Sequence, residues 1–230
     1  MQNLLRENLA EVRKKIEQAA QRSGRNADEI KLIAVSKTHP AAVLLEAITA
    51  GGKVFGENKV QEAEGKITEI GREKAEWHLI GNLQSNKARR AIKLFDVIHT
   101  LDSVELAERL ERICIEEERS ELSILVQVDL AGETTKNGIA ETNLSELTAF
   151  LQTCERLKFG GLMTIPPFYD DTEKVRPFFK KLRELRDEIT PNGELSMGMS
   201  HDFEVAIEEG ATLVRVGTAI FGQRGGTPSS

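Results

Sequence analysis

Lys37 stands at the end of a short apolar run, Leu32-Ile33-Ala34-Val35-Ser36-Lys37-Thr38, which has the character of a buried β-strand. Burial disfavours an ammonium, and the neutral amine it leaves is the nucleophile that forms imines with aldehydes. A lysine that snorkels past a rim into water is the alternative on this strand alone. A second group of candidates lies near the C-terminus. Ser196-Met197-Gly198-Met199-Ser200 closes one strand and opens a helix carrying Phe203, Val205, Ala206 and Ile207, with Ser200 placed as its cap. Val214-Arg215-Val216-Gly217-Thr218 closes another, where Gly217 lets the backbone come close to a ligand and Thr218 offers an amide and a hydroxyl. Amides at a helix start bind anions, so Ser200, Gly217 and Thr218 together suit a phosphate. A turn glycine and an ordinary cap would also explain each piece separately. Arg215 bears on electronics. A guanidinium stays charged and only donates, so facing a pyridine nitrogen it would keep that nitrogen unprotonated. The ring would then be a weak electron sink, able to hold an imine but poorly suited to carbanion chemistry. An arginine paired with a carboxylate at a rim is the competing reading.

These residues need a scaffold that gathers strand ends on one side. Short β-branched or apolar runs recur at Lys31 to Val35, Lys53 to Phe55, Trp77 to Ile80, Val97 to Ile98, Leu122 to Val128, Phe159 to Met163, Glu194 to Met197 and Leu213 to Val216, making eight candidate strands. Helical patterns separate them. Pro40 suits the first turn of a helix stopped by Gly51 and Gly52, and Asp102 with Glu105 resembles a capping box before Leu106, Leu110 and Ile113. Leu144, Leu147 and Leu151 form one apolar stripe, and Val175, Phe179, Leu182, Leu185 and Ile189 another, in which Pro177 must kink the helix or sit in its first turn. Ahead of them all, Leu5, Leu9, Val12, Ile16 and Ala20 mark an extra amphipathic N-terminal helix. Strands alternating with helices imply a parallel sheet, and eight units in 230 residues predict a single (β/α)8 TIM-type barrel. In such barrels the reactive groups sit where strands run into the following loops, and phosphate is commonly held after strands seven and eight.

Two further polar residues fall near predicted strand ends. Asn58 follows the second strand in Gly56-Glu57-Asn58, and His78 lies in the third, Trp77-His78-Leu79-Ile80-Gly81, so both are candidates for the barrel mouth. A single histidine in a strand is more often a satisfied core or rim residue, and the same applies to His39, His99 and His201. Lys87, Arg89, Arg90 and Lys93 form a basic helix face, read as solvated, with an anionic partner surface as the alternative.

Composition narrows the function classes. A formal charge of −6 argues against broad nucleic-acid binding, so any phosphate site must be local. No apolar run approaches the roughly 20 residues that cross a bilayer. The start, MQNLLRENLAEVRKK, lacks the apolar core and cleavage site of a signal peptide, which makes the cytoplasm the expected compartment. Cys114 and Cys154 lack redox-pair or zinc spacing and read as inert thiols, and no metal site is expected. Residues 1–224 are expected to form the barrel domain and 225–230 a flexible tail.

Several long motifs, in order, then point to a family. Ala34 to Pro40 (AVSKTHP), Gly56 to Glu62 (GENKVQE), Trp77 to Lys87 (WHLIGNLQSNK), His99 to Ser103 (HTLDS), Gly161 to Pro166 (GLMTIP) and Leu195 to Gly222 resemble those of the pyridoxal phosphate homeostasis proteins. That family is similar to the N-terminal barrel domain of alanine racemase. The resemblance implies pyridoxal 5'-phosphate (PLP) held as an imine on Lys37, with its phosphate on Ser200, Gly217 and Thr218, Arg215 facing the ring nitrogen and Asn58 beside the cofactor. Lys136, in the loop after the fifth strand, matches the family's lysine and is a secondary cofactor contact by that resemblance. Lys59 departs from the pattern, standing where many relatives carry an aromatic residue, which leaves any stacking there in doubt.

The resemblance further implies a role in vitamin B6 and amino-acid balance with no demonstrated turnover. A racemase of the alanine type needs a second acid/base opposite its lysine, supplied by a further domain and a partner subunit; the only tyrosine here, Tyr169, is expected to pack or line the rim. The expected partners are PLP and, as recipients, apo-forms of PLP enzymes, with the chain itself a monomer and no nucleic acid or membrane involved. The alternatives are a weak amino-acid racemase or lysine-dependent aldolase on the same barrel, and a signalling adaptor with PLP as bound ligand.

Overall fold

The computed structural model describes residues 2–132 and 137–222. Eight strands alternate with helices in chain order. They are β1 (Lys31–Val35), β2 (Val54–Glu57), β3 (Glu76–Leu79), β4 (Val97–Leu101), β5 (Leu122–Asp129), β6 (Leu157–Met163), β7 (Glu194–Met199) and β8 (Leu213–Val216). The helices are α1 (Gln2–Arg22), α2 (Ala41–Thr49), α3 (Val60–Ile70), α4 (Ala88–Leu94), α5 (Val104–Glu116), α6 (Leu144–Thr153), α7 (Arg176–Ile189), α8 (Phe203–Glu208) and α9 (Thr218–Phe221).

Neighbours run β4-β3-β2-β1-β8-β7-β6-β5, and β5 pairs back onto β4, so the sheet closes into a parallel eight-stranded barrel. A two-residue strand, Ile139–Ala140, adds to the end of β5 outside that ring. This is the TIM barrel with an N-terminal helix that the strand rhythm predicted. Its interior is filled: Ile33, Val54, Leu125, Met163 and Leu213 pack as one apolar cluster, while the helix-facing sides of the strands bury Phe55, Trp77 and Leu79 in the larger outer core. The α1 stripe of Leu5, Leu9, Val12 and Ile16 is buried, each contributing about 1.5–3 kcal/mol by area as an upper estimate.

The structure adjusts several local expectations. The cap of α5 is Ser103, whose hydroxyl accepts from the Leu106 amide at 3.2 Å, one residue beyond the expected Asp102. Pro177 lies in the first turn of α7, where its missing amide costs no helical bond, so the helix is not kinked there. The helix after β7 starts at Phe203 with Asp202 as its cap residue, not Ser200. No described helix is long and apolar enough to cross a membrane.

Candidate functional site

Because every strand is parallel, all eight C-terminal ends open on one face. β1 pairs with β2 on one side and β8 on the other, so the segments following these strands meet around Lys37. Lys37 is half-buried. The backbone around it is pinned from below. Ser36 is fully buried and its hydroxyl donates to Glu57 Oε1 at 2.6 Å. Lys66, on α3, donates from Nζ to the Ser36 carbonyl at 2.8 Å, to both Glu57 oxygens at 2.8 and 3.0 Å, and to Glu62 Oε1 at 2.6 Å. Glu62 in turn accepts the Thr38 amide at 2.5 Å. Thr38 has φ +70°, the left-handed region that a β-branched residue avoids, so this amide bond holds a turn the residue would not choose. Burial pushes the Glu57 carboxyl up, opposed by the Lys66 and Ser36 hydrogen bonds.

On the other side of Lys37, the end of β8 lies against β1. A Cβ on Gly217 would stand 3.3 Å from Val35 Cβ, so glycine permits this close seating of the two strand ends. The Gly217 amide donates to Ser200 Oγ at 3.1 Å, which joins the segments after β7 and β8. Ser200 therefore turns toward Gly217 instead of capping α8, where Asp202 accepts the Met199 amide at 2.6 Å. Thr218 follows, exposed.

Arg215 points into the barrel and is 3% exposed. Its Nη1 donates to Ser196 Oγ at 2.5 Å and its Nη2 to the Thr164 carbonyl at 2.9 Å. Neither partner is a carboxylate, which sets aside the rim ion pair that the sequence allowed. Burial lowers its pKa to about 10, still far above neutrality, so the guanidinium remains charged. It spends two of its five N–H groups on these neighbours.

His78 does not reach the mouth. It is 1% exposed and turns back toward the start of β3, where Nε2 lies 2.8 Å from Glu76 Oε1, while Nδ1 lies 2.8 Å from His99 Nε2. His99, fully buried on β4, places Nδ1 2.8 Å from Ser196 Oγ. The two histidines thus connect the strand-start rim to the partner of Arg215.

The remaining candidates are placed as follows. Asn58, half-buried, follows β2 beside Lys37's strand, and the chain after β3 touches it so closely that a Cβ on Gly81 would fall 2.3 Å from the Asn58 carbonyl oxygen. Lys136 lies outside the described residues. Lys59 is exposed just ahead of α3. His39 stacks on Phe221 and His201 packs against Phe168, while Tyr169 stacks on Phe178. The basic face of α4 is largely matched: Arg89 and Lys93 pair with Glu116 and Glu117, and Arg90 with Glu64. A cavity of about 640 Å³ lies elsewhere, lined by Leu9, Arg13, Lys31 and Val54 among others, at the strand-start side.

Sequence reasoning missed Glu57, Glu62, Lys66, His99 and Ser196 as a supporting set. One signal was available: Lys66 falls among Val60, Ala63, Ile67 and Ile70 on the buried stripe of α3, where a lysine must find a partner.

Known proteins share this fold. The family model described as "Alanine racemase, N-terminal domain" matches residues 7–225. Pyridoxal phosphate homeostasis proteins of Aquifex aeolicus and Escherichia coli K12 are each 44% identical, over 95% and 96% of this chain and 97% of theirs. The chain belongs to the pyridoxal phosphate homeostasis protein family. A solved relative, PipY of Synechococcus elongatus with PLP bound, superimposes with a TM-score of 0.82 at 40% identity, covering 95% of this chain and all of that one. Alanine racemase of Corynebacterium glutamicum, at 16% identity and a TM-score of 0.67, shares the fold over 98% of this chain and 63% of its own.

Proposed function

We propose that this chain binds PLP at the C-terminal mouth of its barrel, as an imine between the aldehyde carbon and Nζ of Lys37, and serves in vitamin B6 homeostasis without turning over a substrate. When bound, PLP supplies an aldehyde that accepts an amine with loss of water, and an aromatic ring able to withdraw electrons. The observation that carries the reading is the meeting of two strand ends. β1 runs on into Lys37 alongside the β8 end that carries Gly217, bonded to Ser200, and Arg215, buried on β8, keeps its charge and has donors to spare.

The residues fit the group. Ser200, Gly217 and Thr218 offer hydroxyls and backbone amides to a phosphate. Arg215, a donor only, suits an unprotonated ring nitrogen and opposes its protonation, which keeps the ring a weak electron sink. Asn58 flanks the site from β2, and Lys136 stands as a further contact on the family resemblance alone. His78 acts from inside the barrel instead of touching the ring. Absence of turnover is supported by the names of the relatives, which describe homeostasis, and by the surroundings of Tyr169, whose ring is engaged with Phe178. Delivery of the cofactor to apo-enzymes in the cytoplasm, by a monomer with residues 1–224 as its working domain, completes the reading.

Borohydride reduction of the protein incubated with PLP, followed by peptide mass spectrometry, tests the linkage. A pyridoxyl adduct on Lys37 is expected, absent in Lys37→Ala; protein that stays unmodified and colourless defeats the proposal. A screen of amino acids giving turnover well above the Lys37→Ala background would overturn its non-catalytic part.

A further inference from the structure

The barrel interior holds an unusual chain of polar groups: Glu76, His78, His99, Ser196 and Arg215, on β3, β4, β7 and β8, linked by contacts of 2.8, 2.8, 2.8 and 2.5 Å. Only the Glu76 end meets water, its side chain 33% exposed beside Lys31, whose Nζ donates to it at 2.9 Å. Each contact constrains the next. Glu76 is ionised, its pKa held at about 2 by the His78 hydrogen bond and, against the cost of burial, by Lys31, so it can only accept. The proton on this side of His78 is therefore on Nε2. In a neutral His78 the Nδ1 is then a lone pair, so His99 must present Nε2–H to it. His99 Nδ1 is then bare and takes the hydroxyl proton of Ser196. Ser196 Oγ is left with its lone pairs toward Arg215 Nη1–H.

Every donor thus points from Arg215 toward Glu76, and no group faces two donors or two acceptors. This arrangement is complete with neutral rings. An N–H at His99 Nδ1 would meet the Ser196 oxygen in place of a lone pair and leave the buried serine hydroxyl proton without its acceptor. Burial chiefly opposes protonation of His99, and the cationic Arg215 and Lys31 oppose it further, as would a charge on His78. Of the two rings only His78 meets Glu76, which also accepts from Lys31, and Asp202 acts on Arg215 from the α8 side.

We infer that Glu76, His78, His99 and Ser196 are positioning residues: a one-way hydrogen-bond chain across the barrel that fixes the Ser196 hydroxyl and thereby the orientation of the Arg215 guanidinium beneath the cofactor. A serine hydroxyl left to rotate could turn its proton toward Arg215 and repel it; His99 removes that freedom. The inference rests on the PLP reading for its consequence, but the chain itself belongs to the apo-protein.

Histidine side-chain ¹⁵N–¹H NMR of apo-protein at pH 5.5–8 tests it directly. His99 is expected as the neutral Nε2–H tautomer throughout, with a proton on His78 Nε2 facing Glu76. Glu76→Gln should shift the His99 nitrogens although the two side chains do not touch. An Nδ1–H tautomer at His99, titration of His99 in this range, or indifference of His99 to Glu76→Gln overturns the chain. In PLP-loaded protein, Glu76→Gln and Ser196→Ala should each weaken retention about three- to tenfold, the worth of one buried hydrogen bond. Both should also shift the pH dependence of the bound-cofactor absorbance in the same sense. Glu194→Gln, an exposed carboxylate at the start of β7, should change neither. Equal effects from Glu194→Gln, or none from Ser196→Ala, refute the positioning role. Failure to take up PLP with the expected tautomers intact would sink the function reading instead, so the two failures are distinguishable.

Discussion

Lys66→Met separates the buried cluster under Lys37 from a merely decorative ion pair. The side chain of Lys66 is 8% exposed and that of Glu57 0%, so the ammonium is the principal compensation for a carboxylate that has no water. Removing one partner of such a pair costs about 3–5 kcal/mol, because the other charge is left buried. Glu57 has one escape, which is to bind a proton. Its folded-state pKa is already raised above the ordinary 4.5, chiefly by burial, and loss of Lys66 raises it further. The folded state then holds a proton that the unfolded state has released. Stability is therefore greatest below the unfolded pKa and declines as pH rises through the folded one, by about 1.4 kcal/mol per pH unit.

Urea unfolding of Lys66→Met is accordingly expected to show a loss at pH 8 clearly larger than at pH 5, measured against the parent at each pH. Glu57→Gln in the Lys66→Met background should recover much of the loss at pH 8, since an amide needs no counter-ion. The same variant should take up PLP poorly, because Lys66 also holds the Ser36 carbonyl and, through Glu62, the Thr38 amide on either side of Lys37. A cost below about 1 kcal/mol, the range of an exposed pair, or a loss independent of pH, would refute the claim that this cluster supports the lysine.

Other expectations are simpler. Ser200→Ala deprives the Gly217 amide of its acceptor and should cost about 0.5–1.5 kcal/mol of stability; in equilibrium binding it should weaken PLP more than unphosphorylated pyridoxal, and equal weakening would remove Ser200 from the phosphate grip. Gly81→Ala drives a methyl to within 2.3 Å of the Asn58 carbonyl oxygen, which only backbone movement relieves, so thermal melting should show a loss of at least the ~1–3 kcal/mol of an overpacked core. Cys114 and Cys154 both have thiols pushed up to about 11 by burial, and native protein should resist alkylation at pH 8 while unfolded protein reacts at both positions.

Much of this protein was legible in its residues. The run from Leu32 to Val35 had to be a buried strand, and the last residue it could deliver to a loop was Lys37. The alternation of eight such runs with amphipathic stretches left a closed parallel barrel as the economical arrangement, and that closure is what sets β8 beside β1. Ser200, Gly217 and Thr218 were singled out by their places after strands, although the cap position expected of Ser200 belongs to Asp202. What only the tertiary structure decided are partnerships between strands far apart in the chain. His99 and Ser196 are 97 residues apart, and nothing in either local sequence announces the other. His78 has the type and position of a mouth residue, but a barrel interior offers a side chain in mid-strand two directions, and Glu76 draws it downward. Local pattern fixes which residues are buried through periodicity; it does not fix which buried polar groups meet, because that depends on barrel closure and register, and the physical demand that each donor find an acceptor acts only after the chain has closed.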